Sequence, residues 1–83
     1  MYKVEIAKSA VKELAKLPVK QAVRITKKIS QLTHNPRPNG CVKLTGSTNE
    51  YRIRIGNYRV LYTIKDEVVL VNVFKIKNRK DAY

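Results

Sequence analysis

The groups with chemistry to offer are arginines at alternating positions and a basic segment ending in tyrosine. In YRIRIGNYRVLY (residues 51–62), Arg52, Arg54 and Arg59 stand on either side of Gly56-Asn57. A two-residue turn there pairs Ile55 with Tyr58 and sets Arg54 opposite Arg59. Like charges directly opposite across a ladder repel, so the arrangement needs a reason. Solubility alone is served as well by Lys or Glu, and better by mixed signs. Guanidinium groups fork onto phosphate and carboxylate oxygens, so several held at fixed spacing on a sheet form a ready anion site. The last residues, KIKNRKDAY, add Lys75, Lys77, Arg79 and Lys80 before Tyr83. Positive charge near a phenol favours the phenolate, which can act as a general base.

Other chemistries find little here. No Gly-rich phosphate loop, HExxH or CxxC motif occurs. The one cysteine, Cys41, has no nearby His or second Cys for a metal, and it fits a reducing cytoplasm. The one histidine, His34, falls where a helix should end, which suits a cap or surface role. Glu50 adjoins the arginines without an evident carboxylate partner. No metal or organic cofactor is therefore expected.

The charge balance names a class of partner. Eighteen Lys and Arg against six Asp and Glu give a net charge of +12. Such a field favours polyanions. It is dispersed, with +7 in residues 1–41 and +5 in residues 42–83, so the folded surface rather than a tail should do the binding. A hydrophobic share of 43% in 83 residues allows one domain, residues 1–83, with a modest core. No apolar run reaches the roughly 20 residues that cross a bilayer, and MYKVEIAKSA does not read as a signal peptide, so no membrane partner is expected.

The elements that must position these residues follow from periodicity. YKVEI alternates as a strand. Ala7, Ala10, Val11, Leu14 and Leu17 recur at helical spacing, with Ser9 as a cap and Leu17-Pro18 as the end. Pro18 suits the first turn of a second helix. Its apolar stripe is read as Val19, Ala22, Val23, Ile29 and Leu32, opposite Lys20, Arg24, Lys27, Lys28 and Gln31, and NPRPNG ends it near His34. VKL is a short strand, and EYRIRI, YRVLYTI and VVLVNVFKI form a meander. The expected fold is α+β, ordered β-α-α-β-β-β, with a helical hairpin packed on one face of a small sheet. A second tight turn at Asp66-Glu67 pairs Val60 with Val73, Tyr62 with Val71 and Ile64 with Val69. Arg52, Arg54 and Arg59 then share the face away from the helices, beside Leu61, Leu70, Asn72 and Phe74.

LAKLP, a basic helix, NPRPNG followed by KLTGSTNEYRIRIGNYRVLYTI, and the closing VFKIKNRKDAY together resemble the RelE/ParE toxin superfamily across essentially the whole chain. The resemblance implies a RelE-like fold and the toxin of a type II toxin–antitoxin system. RelE-like members are ribosome-dependent endoribonucleases that cleave mRNA in the 30S A site, so the implied place of action is the cytoplasm. Carried over by position, the implied catalytic residues are Arg52, Arg54, Arg59, Lys77 and Tyr83. Arg79, Lys43, Lys75 and Lys80 are implied RNA contacts. The RNA's own 2′-hydroxyl would attack the adjacent phosphate, with Tyr83 as base, Arg59 on the phosphate and Lys77 aiding the leaving oxygen. The chain departs from the pattern at Lys77, where some relatives have arginine, and at Asn78-Arg79, where many have a histidine before the arginine. The implied partner is an acidic, RelB-like antitoxin that folds on binding. A ParE-like inhibitor of DNA gyrase, acting by binding alone, is the alternative within the same superfamily.

Overall fold

The computed structural model describes residues 1–78. Strand β1 (Lys3–Ile6) leads into helices α1 (Lys8–Ala15) and α2 (Val19–Gln31), then β2 (Val42–Lys43), β3 (Glu50–Ile55), β4 (Tyr58–Lys65) and β5 (Leu70–Asn78). The sheet order is β1-β5-β4-β3-β2. β1 runs parallel to β5, and the other pairings are antiparallel. The expected α+β order thus stands, with VKL reduced to a two-residue edge strand.

The core lies between the helices and one face of the sheet. Ala10, Ile25, Ile29 and Leu32 from the helical side meet Ile53, Ile55, Tyr58, Val60, Tyr62, Ile64, Val71, Val73 and Ile76. The buried stripe of α2, spaced i, i+4, i+7, keeps Ile29 and Leu32 of the expected one, adds Ile25 and leaves out Val19 and Val23. Val19 is 77% and Val23 61% exposed, because at 100° per residue they point away from Ile25. The helices carry no side-chain cap at their N-termini. Ser9 does not cap α1; its Oγ donates to the Phe74 carbonyl across the gap to β5.

The first hairpin has the expected register, with Ile55 opposite Tyr58, Arg54 opposite Arg59 and Ile53 opposite Val60. Gly56 has φ +59°, and Asn57 is not in the positive region. Positive φ at the first central residue alone is what a II′ turn asks for. The second hairpin departs from expectation. Asp66–Val68 winds into one 3-10 turn and Val69 follows with φ +55°, so the connection is four residues long. Lys65 therefore pairs with Leu70, Ile64 with Val71 and Tyr62 with Val73. Val69 leaves the core face and is 42% exposed.

A second irregularity follows. Tyr62 pairs with Val73 but Leu61 pairs with Lys75, which leaves Phe74 without a partner on β4. This bulge advances β5 by one residue and reverses which side chains meet which face. Val60 thus meets Ile76 instead of Val73, and Ile76 enters the core while Lys75 and Lys77 turn to the other face.

Candidate nucleic-acid interface

On the face away from the helices, the register builds two rows across three strands. Arg54, Arg59 and Lys77 form the row next to the Gly56 turn, and Arg52, Leu61 and Lys75 form the next. Strands lie about 4.8 Å apart and alternate residues about 6.7 Å apart, so five cations occupy a patch roughly one nucleotide step on a side. The pair beyond the one that closes a two-residue turn is of the close, non-hydrogen-bonded kind. Like charges paired this way repel. Arg54 and Lys75 are exposed, while Arg52, Arg59 and Lys77 are half-buried along the strands.

The bulge explains Lys77. Had Leu61 met Phe74, Ile76 would oppose Arg59 and Lys77 would face the helices. One unpaired residue turns an arginine pair into a three-cation row.

Arg24 brings α2 to the same end. Its Nη1 lies 3.0 Å from where a Cβ on Gly56 would stand, so the bare glycine of the turn seats a guanidinium. Lys43 is placed apart. It pairs with Tyr51 on the helix-side parity of β3, at the edge of the sheet, and does not join the arginine rows. Arg79, Lys80 and Tyr83 lie outside the described residues.

The opposite end of the sheet holds a cluster that periodicity does not reveal. The Arg37 guanidinium forks onto Asp66 at 2.8 and 3.3 Å, and its Nε donates to Tyr51 Oη at 3.3 Å. Tyr2 Oη donates to Asp66 Oδ1 at 2.7 Å. Arg37 lies 5.2 Å from the Tyr51 ring centre, and Tyr51 stacks on Tyr62 at 6.1 Å. Tyr62 Oη donates to the Pro36 carbonyl at 2.8 Å. This clasp ties the NPRPNG loop to Tyr2 just before β1, to β3 and β4, and to the β4–β5 connection. Hydrogen bonds from Arg37 and Tyr2 hold the Asp66 carboxyl below its usual range. The Asp66 hydrogen bond raises Tyr2, and burial raises Tyr62. The sign of a lone arginine inside a Pro-rich loop was the available clue.

α1 closes the outer edge of β5. β1 pairs with β5 only through Val73, and beyond it Ala7 N–H donates to the Val73 carbonyl at 2.8 Å. Glu13 Oε1 accepts the Ile76 N–H at 3.0 Å. A cleft of about 290 Å³ opens beside it, lined by Glu13, Lys16, Leu17, Tyr58, Ile76 and Asn78. The arrangement as a whole can hold anionic oxygens on the sheet face and stabilise added negative charge there.

Residues 4–83 match the family model described as the ParE toxin of type II toxin–antitoxin system, parDE. A curated protein of Methanocaldococcus jannaschii, provisionally named as toxin RelE1, is 34% identical over 99% of this chain and 94% of its own length. Among solved structures, the RelE–RelB complex of Pyrococcus horikoshii is similar at TM-score 0.85 and 32% identity, covering 94% of each chain. The isolated E. coli RelE toxin is similar at TM-score 0.81 and 29% identity, over 94% of this chain and 84% of that one.

Proposed function

The chain belongs to the RelE/ParE toxin superfamily, as a RelE-like toxin of a type II toxin–antitoxin system, and from that premise we propose that it is a ribosome-dependent endoribonuclease. Its substrate is mRNA in the ribosomal A site. The observation that carries this reading is the row of Arg54, Arg59 and Lys77, backed by Arg52 and Lys75, on the face the helices leave open. A binder of one carboxylate needs one fork. A row of cations suits a phosphate and the strand on either side of it.

The reaction is transesterification. The 2′-oxygen bonds to the adjacent phosphorus as the P–O5′ bond breaks. The products are a 2′,3′-cyclic phosphate and a 5′-hydroxyl, with no external oxidant, water or metal consumed. Arg59, at the centre of its row, stabilises the extra charge of the phosphorane. Lys77, beside it, donates a proton to the departing 5′-oxygen. Tyr83, as phenolate, removes the 2′ proton. Arg52 and Arg54 hold the RNA backbone. The mapping of 5′ ends on ribosomes tests this: wild type produces cuts within A-site codons, and Arg59→Ala and Tyr83→Phe do not. Uncut message in cells arrested by the wild type would overturn it.

A second reading has support in the ParE description of the matching family model, namely inhibition of DNA gyrase by binding alone. It requires blocked supercoiling in a purified gyrase assay, and survival of that block when Tyr83 becomes Phe.

The partner that fits is an acidic, RelB-like antitoxin, since solved relatives are RelE–RelB complexes and this chain carries +12. No helix among the described residues is long and apolar enough to cross a membrane. Action on ribosomes would place the protein in the cytoplasm.

A further inference from the structure

We propose that Glu13 is a positioning residue for Lys77, acting by anchoring the bulged end of β5 from α1. The inference rests on the reading that Lys77 takes part in RNA cleavage. Glu13 is the one carboxylate in either helix of a chain that otherwise lines both with Lys and Arg. It spends that charge on a backbone group: Oε1 accepts the Ile76 N–H at 3.0 Å. A hydrogen bond to a carboxylate is about twice as strong as a neutral one.

The site needs such an anchor. β1 stops at Ile6, so the outward-facing groups of β5 after Val73 have no partner strand. The Val73 carbonyl is taken by Ala7 N–H and the Phe74 carbonyl by Ser9 Oγ, at 3.3 Å. The Ile76 N–H, one residue before Lys77, is taken by Glu13. These contacts bracket the bulge that turns Lys77 toward Arg59. Burial of Ile76 selects the register, because a slip of one residue would expose it and carry Lys77 inward. The ladder to β4 holds the inner edge of β5 through Asn78, and Glu13 holds its outer edge at Ile76, so the strand end that carries Lys77 is fixed from both sides.

Two variants and one background test this. Glu13→Met keeps length and helix propensity but removes the acceptor, and Glu13→Gln keeps an acceptor without charge. Hydrogen exchange at the Ile76 amide should quicken about tenfold in Glu13→Met and by a smaller factor in Glu13→Gln, which keeps a neutral acceptor. Cleavage of ribosome-bound message should lose about tenfold in kcat with KM little changed in Glu13→Met, and Glu13→Gln should lose less, in step with its Ile76 exchange. On a Lys77→Ala background, Glu13→Met should have no further effect on cleavage, because the two act through one group. Faster exchange at Ile76 with unchanged cleavage overturns the inference, as do effects of the two substitutions that multiply. If Glu13→Met does not fold, Glu13→Gln carries the test, and faster exchange at Ile76 with unchanged cleavage overturns the inference. A wild-type protein that leaves ribosome-bound message intact overturns the reading of the reaction, and this inference with it, whatever Ile76 does.

Discussion

Arg59 stands between Arg54 and Lys77, and its neighbours determine what its charge is worth. Like charges set side by side on a sheet repel, and an anion bound across the row weakens that repulsion. On the proposed reaction, Arg59→Ala should lower kcat for cleavage by about 10²–10³-fold, the loss that follows removal of a group placed on developing charge. Arg59→Lys should recover only part of it, because an ammonium lacks the fork. Arg59→Ala should leave the protein folded, read as a cooperative urea transition, which separates the site from the fold. At the other end of the sheet, two titrating groups limit stability in opposite directions. Asp66 has a lowered folded pKa, so its contribution is present above the ordinary carboxylate range and disappears as pH falls through the folded value. Tyr62 has a raised folded pKa, so its contribution is present below about pH 10 and is lost as pH rises through the folded value. Thermal unfolding against pH should show both flanks. Asp66→Asn should flatten the acid flank, and Tyr62→Phe the alkaline one.

At the scale of elements, α2 and the β4–β5 connection carry the clearest tests. The helix turns Ile25 and Ile29 inward and leaves Val23 outside. Ile25→Ala should cost about 2–5 kcal/mol in urea unfolding, as a cavity-forming core substitution. Val23→Ala should fall within about 0.5 kcal/mol of wild type. Equal costs would mean that the stripe is misplaced. Val69 is a β-branched residue in the left-handed region, a position that costs an L-residue about 1–2 kcal/mol. Its side chain is 42% exposed, so little packing offsets the strain. Val69→Asn should therefore raise stability by about 1 kcal/mol, read as a shift in the urea midpoint at constant slope. The bulge at Phe74 is an element of a different kind. It interrupts the ladder and so weakens it locally, yet it puts Lys77 in the cationic row.

The whole molecule is polarised. One end of the sheet gathers Arg24, Arg54, Arg59 and Lys77 around the Gly56 turn, and the other is closed by the Arg37–Asp66 clasp. A net charge of +12 adds a long-range field that draws in any acidic partner. Association with an acidic antitoxin should slow by roughly tenfold or more between low and moderately high salt, since a Debye length of about 10 Å at 0.1 M shrinks as ions are added. Stopped-flow mixing at several salt concentrations measures this. A rate that ignores salt would assign recognition to apolar contacts, for which exposed Val11, Val19 and Val23 on the helical hairpin are available.

Much of this was determined by local pattern. Alternation in EYRIRI and YRVLYTI, with Gly-Asn between them, specified a hairpin, its register and the face that carries Arg52, Arg54 and Arg59. A two-residue turn leaves no freedom in pairing, so residue order alone sufficed. Order could not specify the second register, because nothing in KDEVV announces a 3-10 turn followed by a strained valine. Nor could it specify the bulge, because a bulge is a compromise between a ladder and the core, and only the packing of Ile76 beneath the helices resolves it. The stripe of α2 keeps Ile29 and Leu32 but trades Val19 and Val23 for Ile25 for a related reason. Valine and isoleucine are alike to a periodicity count, and the sheet chose which of them it would cover. Lys77 belongs with the arginines, Glu13 meets Ile76 and Arg37 reaches Asp66 because residues 18 to 63 positions apart were brought together. Contacts at that separation are set by how whole elements pack, which no short window of sequence contains.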